Sequence, residues 1–112
     1  MRIRGFSWAI VAALSGPSIG QNVTTQDYEK IEYRIPMRDG VKLYTAVYVP
    51  KRSATRGPML MERTPYGAGP YGPTQFRSFR GSKRFTESGY IFIAQDVRGR
   101  NQSEGQFVDV RP

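Results

Sequence analysis

Two runs of alternating residues joined by an Asp-Gly pair constrain this chain more than any other feature. Apolar and charged side chains alternate strictly from Ile31 to Ile35, within a stretch that opens at Tyr28 and closes at Pro36. Residues 41–49 repeat the pattern. Val41, Leu43, Thr45, Val47 and Val49 fall on one face, and Lys42, Tyr44, Ala46 and Tyr48 on the other. A period of two marks half-buried strands. Between the runs stands Met37-Arg38-Asp39-Gly40. Aspartate and glycine both tolerate positive φ, so this tetrad predicts a tight turn and an antiparallel hairpin.

The rest of the chain extends the hairpin into a mixed sheet. Pro50 ends the second strand, and residues 51–57 read as a polar surface loop. Residues 58–63 form a short apolar run with little alternation, which predicts a strand buried on both faces. Residues 64–73 break into proline, glycine and tyrosine, a long loop. Residues 76–88 predict a helix, imperfect because of Gly81 and stopped at Ser88-Gly89. Residues 90–94 form a second buried-type strand ending at Gln95-Asp96, and residues 97–111 are loop-like. An antiparallel hairpin feeding a strand–helix–strand crossover is the opening of an α/β fold with a mixed sheet. No helix follows the last strand to cover the sheet's second face, so the chain reads as an incomplete domain.

Composition removes several kinds of chemistry. The 112 residues include no cysteine and no histidine. Disulfides, an imidazole general base, a Ser-His pair and histidine-containing zinc sites are therefore excluded from these residues. Lysine and arginine outnumber the acids 17 to 9. The basic residues are scattered and form no block, so the charge reads as a solvated face and no nucleic-acid partner is expected. Part of the excess belongs to the start of the chain. Residues 1–20 read as a secretory signal peptide: Arg2 and Arg4, an apolar run from Phe6 to Leu14, then small residues to Gly20. That run is well short of the ~20 residues that span a bilayer, so no stable membrane anchor is expected. The implied location is secreted or periplasmic. Residues 21–27 read as a mobile linker and residues 28–112 as the partial domain.

Several motifs need weighing. Gly16-Pro17-Ser18-Ile19-Gly20 matches G-x-S-x-G. It lacks the strand before and helix after that a nucleophile elbow requires. Asn22-Val23-Thr24 and Asn101-Gln102-Ser103 match the glycosylation sequon, a common chance match. Gly67-Ala68-Gly69-Pro70-Tyr71-Gly72 matches G-x-G-x-x-G, but Pro70 and Pro73 disrupt the helix start that would hold pyrophosphate, and no cofactor is expected. No metal-ligand spacing appears. Arg63-Thr64-Pro65-Tyr66 places a tyrosine just past a buried strand, at the edge where α/β sheets bind ligands. Its phenol either donates to a developing oxyanion or packs on its neighbours. Asp96-Val97-Arg98-Gly99-Arg100, followed by Ser103-Glu104-Gly105, is the other dense cluster. Asp96 and Arg98 form an ion pair, position a substrate, or shape the loop through hydrogen bonds.

Three segments, in order, resemble a known family. They are Ile35-Pro36-Met37-Arg38-Asp39-Gly40-Val41-Lys42-Leu43, Arg63-Thr64-Pro65-Tyr66-Gly67, and Gly89-Tyr90-Ile91-Phe92-Ile93-Ala94-Gln95-Asp96-Val97-Arg98-Gly99-Arg100 with Ser103-Glu104-Gly105. The chain is similar to the start of the cocaine esterase and nonpeptidase hydrolase group. That group includes α-amino acid ester hydrolases, glutaryl acylases and X-Pro dipeptidyl-peptidase-like enzymes. The resemblance implies the amino-terminal portion of an α/β-hydrolase sheet, from a secreted serine hydrolase acting on a small-molecule ester or an amide or peptide bond. It also implies that Tyr66 belongs to the oxyanion hole, and that the Ser-Asp-His triad follows the present residues, leaving the fragment alone inactive. A different class of function stays open from the residues themselves. A small extracytoplasmic β-rich binding module could use its basic surface and loop tyrosines to hold an anionic or sugar-like partner.

Overall fold

The computed structural model describes residues 25–52, 56–79 and 82–108. The expected signal peptide, its G-x-S-x-G match and residues 21–24 lie outside them. Thr25 to Asp27 make a turn whose carbonyls at Thr25 and Asp27 accept hydrogen bonds from Lys51.

The Asp-Gly hairpin forms as the alternation requires. β1 (Tyr28–Pro36) and β2 (Lys42–Pro50) pair antiparallel, with Tyr33 opposite Thr45 and Ile35 opposite Leu43. In the turn, Gly40 has φ +88° and donates to the Met37 carbonyl at 2.9 Å. Asp39 accepts the Val41 N–H at 3.2 Å. Glycine is required at position 40 by its dihedral, since a side chain there would meet nothing within 4 Å.

β3 (Met59–Thr64), α1 (Ser82–Glu87) and β4 (Ile91–Asp96) complete the described elements. β3 and β4 are parallel, β2 and β4 antiparallel, and the sheet order is β1-β2-β4-β3. The expected mixed sheet is therefore present as a four-stranded unit with few helical residues. The helix is shorter than the predicted span of 76–88. Phe76 and Phe79 lie before it and pack on Tyr48, at ring separations of 5.4 and 5.3 Å, so burial of those rings rather than helical period explains their spacing. The stop at Ser88-Gly89 is where the sequence puts it. Gly89 has φ +74°, its N–H donates to Thr86, and the Tyr90 N–H reaches back to Phe85 at 3.0 Å. The Tyr90 and Phe85 rings meet at 4.9 Å, completing the apolar contact that accompanies such a cap.

The core lies on the tyrosine face of the hairpin. Tyr28, Tyr44, Ala46, Tyr48, Phe92 and Ala94 form one buried cluster with Ala68 and Phe79 from the loop after β3. Phe79 stacks on Phe92 at 4.8 Å. The strictly alternating apolar row in β1 is not the buried one: Tyr33 and Ile35 are exposed, while Tyr28 and Lys30 are buried. On this row Tyr48 stands opposite Phe92 and Ala46 opposite Ala94, and the rings pack against Phe76 and Phe79 of the covering loop. β3 also departs from expectation. Met59 and Met61 are 66% and 50% exposed, because among the described residues β3 has a partner strand on one side only. The Phe92→Ala variant removes the ring shared by β4 and the covering loop. It should lower unfolding stability by about 3–5 kcal/mol, measured by chemical denaturation.

Candidate functional site

The parallel pair brings two loops to one edge of the sheet. Thr64 and Asp96, the last residues of β3 and β4, are in register, and the Val97 N–H donates to the Thr64 carbonyl at 3.2 Å. Tyr66 stands two residues beyond β3. Its backbone N–H donates to Thr64 Oγ1 at 3.0 Å, closing a small turn around Pro65. The neighbouring backbone groups are held as well. Asn101 Nδ2 donates to the Pro65 carbonyl at 3.3 Å, and Arg77 donates to the carbonyls of Gly67 and Gly69 at 2.7 and 3.1 Å. The Tyr66 side chain is 90% exposed. It stands as an exposed phenol on a fixed backbone.

Asp96 joins the two loops. Its carboxylate is fully buried. Oδ1 accepts the Ala68 N–H at 2.6 Å, and Oδ2 accepts the Tyr71 hydroxyl at 2.9 Å and the Gln102 N–H at 3.1 Å. The Asp96 carbonyl accepts Ser103 Oγ–H at 2.7 Å, and Ser103 Oγ accepts the Tyr44 N–H at 2.9 Å. Burial and the Asp96 hydrogen bond push the Tyr71 hydroxyl up to about 12, so it stays a donor at neutral pH. Arg98 does not pair with Asp96. It forks onto Asp39 in the hairpin turn at 2.7 and 3.2 Å, which holds the Asp39 carboxyl below its ordinary range. Gly99, at φ +74°, passes so close to the 106–107 backbone that a Cβ would lie 2.0 Å from the Phe107 nitrogen. The cluster from Asp96 to Gly105 thus shapes a loop, and its ion pair is with the hairpin.

A charged pair that the sequence pattern hid supports the loop from beneath. Lys30 and Glu32 lie in phase with Tyr28 on the buried row of β1, opposite Tyr48 and Ala46. The Lys30 side chain is fully buried. Its three ammonium protons match three carbonyls, those of Pro70 at 2.6 Å, Gly72 at 2.9 Å and Gln75 at 2.8 Å. Glu32 accepts the Tyr44 hydroxyl and the Gly72 N–H, each at 2.6 Å, and lies 3.6 Å from Lys30. Burial lowers the Lys30 ammonium against the pull of Glu32. Burial also works against the Glu32 carboxylate, but the Tyr44 and Gly72 donors and Lys30 outweigh it and hold the group below its usual value. The one visible signal was phase: charges two residues apart, aligned with an aromatic.

The Gly67 to Gly72 stretch makes no phosphate cradle. Its Ala68 and Gly72 N–H groups are already engaged by Asp96 and Glu32. No helix follows it among the described residues before Ser82. No group of three His, Cys, Asp or Glu side chains suited to a metal ion occurs among the described residues. Nor is any described helix long and apolar enough to cross a membrane.

The mixed sheet superposes on parts of known hydrolases. Residues 39–112 match the X-Pro dipeptidyl-peptidase (S15 family), and the chain belongs to that family. Cocaine esterase of Rhodococcus sp. (strain MB1 Bresler) is 36% identical over 80 residues, 66% of this chain and 12% of that protein. Among solved structures, an α-amino acid ester hydrolase superposes with TM-score 0.61 at 36% identity, covering 91% of this chain and 17% of its own. An aminopeptidase from a marine sediment Thaumarchaeota archaeon gives TM-score 0.62 at 34% identity, covering 77% of this chain and 15% of its own. The chain thus spans under a fifth of the length of each of these proteins. The resemblance seen in the three sequence segments is borne out at the level of family, and a small binding module is not favoured.

The lowered Glu32 carboxyl sets a pH dependence. Its contribution to stability is complete above the unfolded value of about 4.3 and is lost as pH falls through the lower folded value. Unfolding measured from pH 6 down to about pH 2 should show this loss. Glu32→Gln should flatten that part of the curve. The Lys30→Met variant takes the ammonium donor from the carbonyls of Pro70, Gly72 and Gln75, of which Gly72 keeps the Gln75 N–H, and should cost about 1–3 kcal/mol by thermal or chemical denaturation.

Proposed function

We propose that this chain is the amino-terminal part of a secreted or periplasmic serine hydrolase of α/β-hydrolase fold, in which Tyr66 is an oxyanion donor. The enzyme acts on a small-molecule ester, or on an amide or peptide bond, through an acyl-enzyme. Family membership supports the reaction class, because the similar proteins are by name two ester-cleaving enzymes and an aminopeptidase. The observation that carries the reading is the placement of Tyr66. A phenol at the carboxyl edge of the parallel strands is exposed while the backbone on both sides of it is fixed.

Attack on an ester or amide carbonyl turns its oxygen into an oxyanion. A hydroxyl already aimed at that oxygen stabilises the transition state without reorganising when the charge develops. Tyr66 supplies such a hydroxyl, and a backbone N–H next to the nucleophile supplies its companion. The 112 residues contain no histidine, so the general base that activates the serine comes from other residues of the enzyme. By itself this segment binds and orients but cannot complete a turnover. Residues 1–20 provide the export signal, and cleavage after Gly20 predicts a mature enzyme beginning at Gln21, readable from the mass of the exported protein.

The decisive substitution is Tyr66→Phe in the complete enzyme. Loss of one oxyanion donor should lower kcat by roughly 10²–10³ with little change in KM. Wild-type turnover in this variant would remove Tyr66 from the mechanism.

A further inference from the structure

We infer that Asp96 is the positioning residue for Tyr66, acting through the loop backbone and never touching substrate. The inference rests on the reading of Tyr66 as the oxyanion donor. With its side chain 90% exposed, Tyr66 takes its placement from the backbone of residues 64–72. An oxyanion donor displaced by about 1 Å can lose its effect about 10²-fold, so whatever fixes that backbone bears on rate. Asn101 and Arg77 bond the carbonyls of Pro65 and Gly67 on either side of Tyr66, Asp96 is next along the loop at Ala68 and Tyr71, and Lys30 and Glu32 hold only its far end at Pro70 and Gly72. Asn101 is exposed, and Arg77 is in part directed to the exposed Glu62. Asp96 is fully buried, and it holds the loop at Ala68 and Tyr71 while holding the facing loop at Gln102.

Its chemistry suits that task. All three partners are neutral donors, so they need an acceptor at both oxygens. A carboxylate meets that need. An amide of the same shape cannot, because its –NH₂ would face at least one N–H or O–H. Asp96 is also anchored by its own strand, since it pairs in register with Thr64, the residue from which the Tyr66 turn starts. The carboxylate therefore fixes the distance between the end of β3 and the loop that returns from it.

The test is a double-mutant cycle in the complete enzyme, with steady-state kinetics on an ester substrate. Asp96→Asn should lower kcat on the order of 10²-fold with KM little changed. Tyr71→Phe, which removes one of the three donors, should cause a smaller loss of the same kind. In a Tyr66→Phe background neither substitution should lower kcat further, because the group they position is gone. Full multiplication of the Asp96→Asn and Tyr66→Phe losses, or wild-type kcat in Asp96→Asn, would overturn the inference while leaving the role of Tyr66 intact. Wild-type kcat in Tyr66→Phe alone would overturn the Tyr66 assignment and this inference together. If Asp96→Asn does not fold, the Tyr71→Phe cycle decides by the same criterion.

Discussion

A carboxylate removed from water must find its hydrogen-bond partners inside the protein, or it destabilises the fold by several kcal/mol. Asp96 meets that demand at the end of β4 with two backbone N–H groups and a phenol drawn from two different loops. The arrangement at the carboxyl edge of the sheet follows from this. The loop after β3 is pulled toward β4, the loop after β4 folds back through Gln102 and Ser103, and Ser103 passes the connection to Tyr44 in β2. One residue thereby couples three strands and both site-forming loops. The bonds are short and directional, so they restrict geometry more tightly than apolar packing of the same residues could.

Lys30 and Glu32 do the same work from below, and they show why a charged residue can sit in a core. The ammonium offers three protons, and the loop over it turns three carbonyls toward it, one of which, at Gly72, also accepts the Gln75 N–H at 3.2 Å. A long loop without regular structure pairs few of its own backbone groups, and buried ones left unpaired are costly. The lysine and the glutamate supply the missing partners, at Pro70, Gly72 and Gln75 and at the Gly72 N–H. The segment bearing Tyr66 is thus held between Asp96 at the sheet edge and the charged pair beneath, while Phe76 and Phe79 further along the loop meet Tyr48 edge-on and Phe79 stacks on Phe92.

Much of this was legible in the chain. The hairpin, its Asp-Gly turn, the strand–helix–strand order and the Ser88-Gly89 stop each depend on dihedral preference or a local period, which a few neighbouring residues determine. The position of Tyr66 beyond β3 was legible for the same reason. The buried face of β1 was not. The alternation of Ile31, Tyr33 and Ile35 is cleaner than that of Tyr28, Lys30 and Glu32, yet the second row is the one covered by the loop. The extent of the helix was misjudged because Phe76 and Phe79 have a spacing that a helix and an irregular aromatic-bearing loop can both produce.

By itself, then, the sequence determined the strands, the turn, the family and the place of Tyr66 just beyond β3. All of these are written in short stretches whose physics is local. Only the tertiary structure decided which charges are internal, that Arg98 belongs to Asp39, and that Asp96 ties the Tyr66 loop to its neighbour. Those choices depend on pairings 25–59 residues apart along the chain, brought together by strand register, and no local preference encodes them.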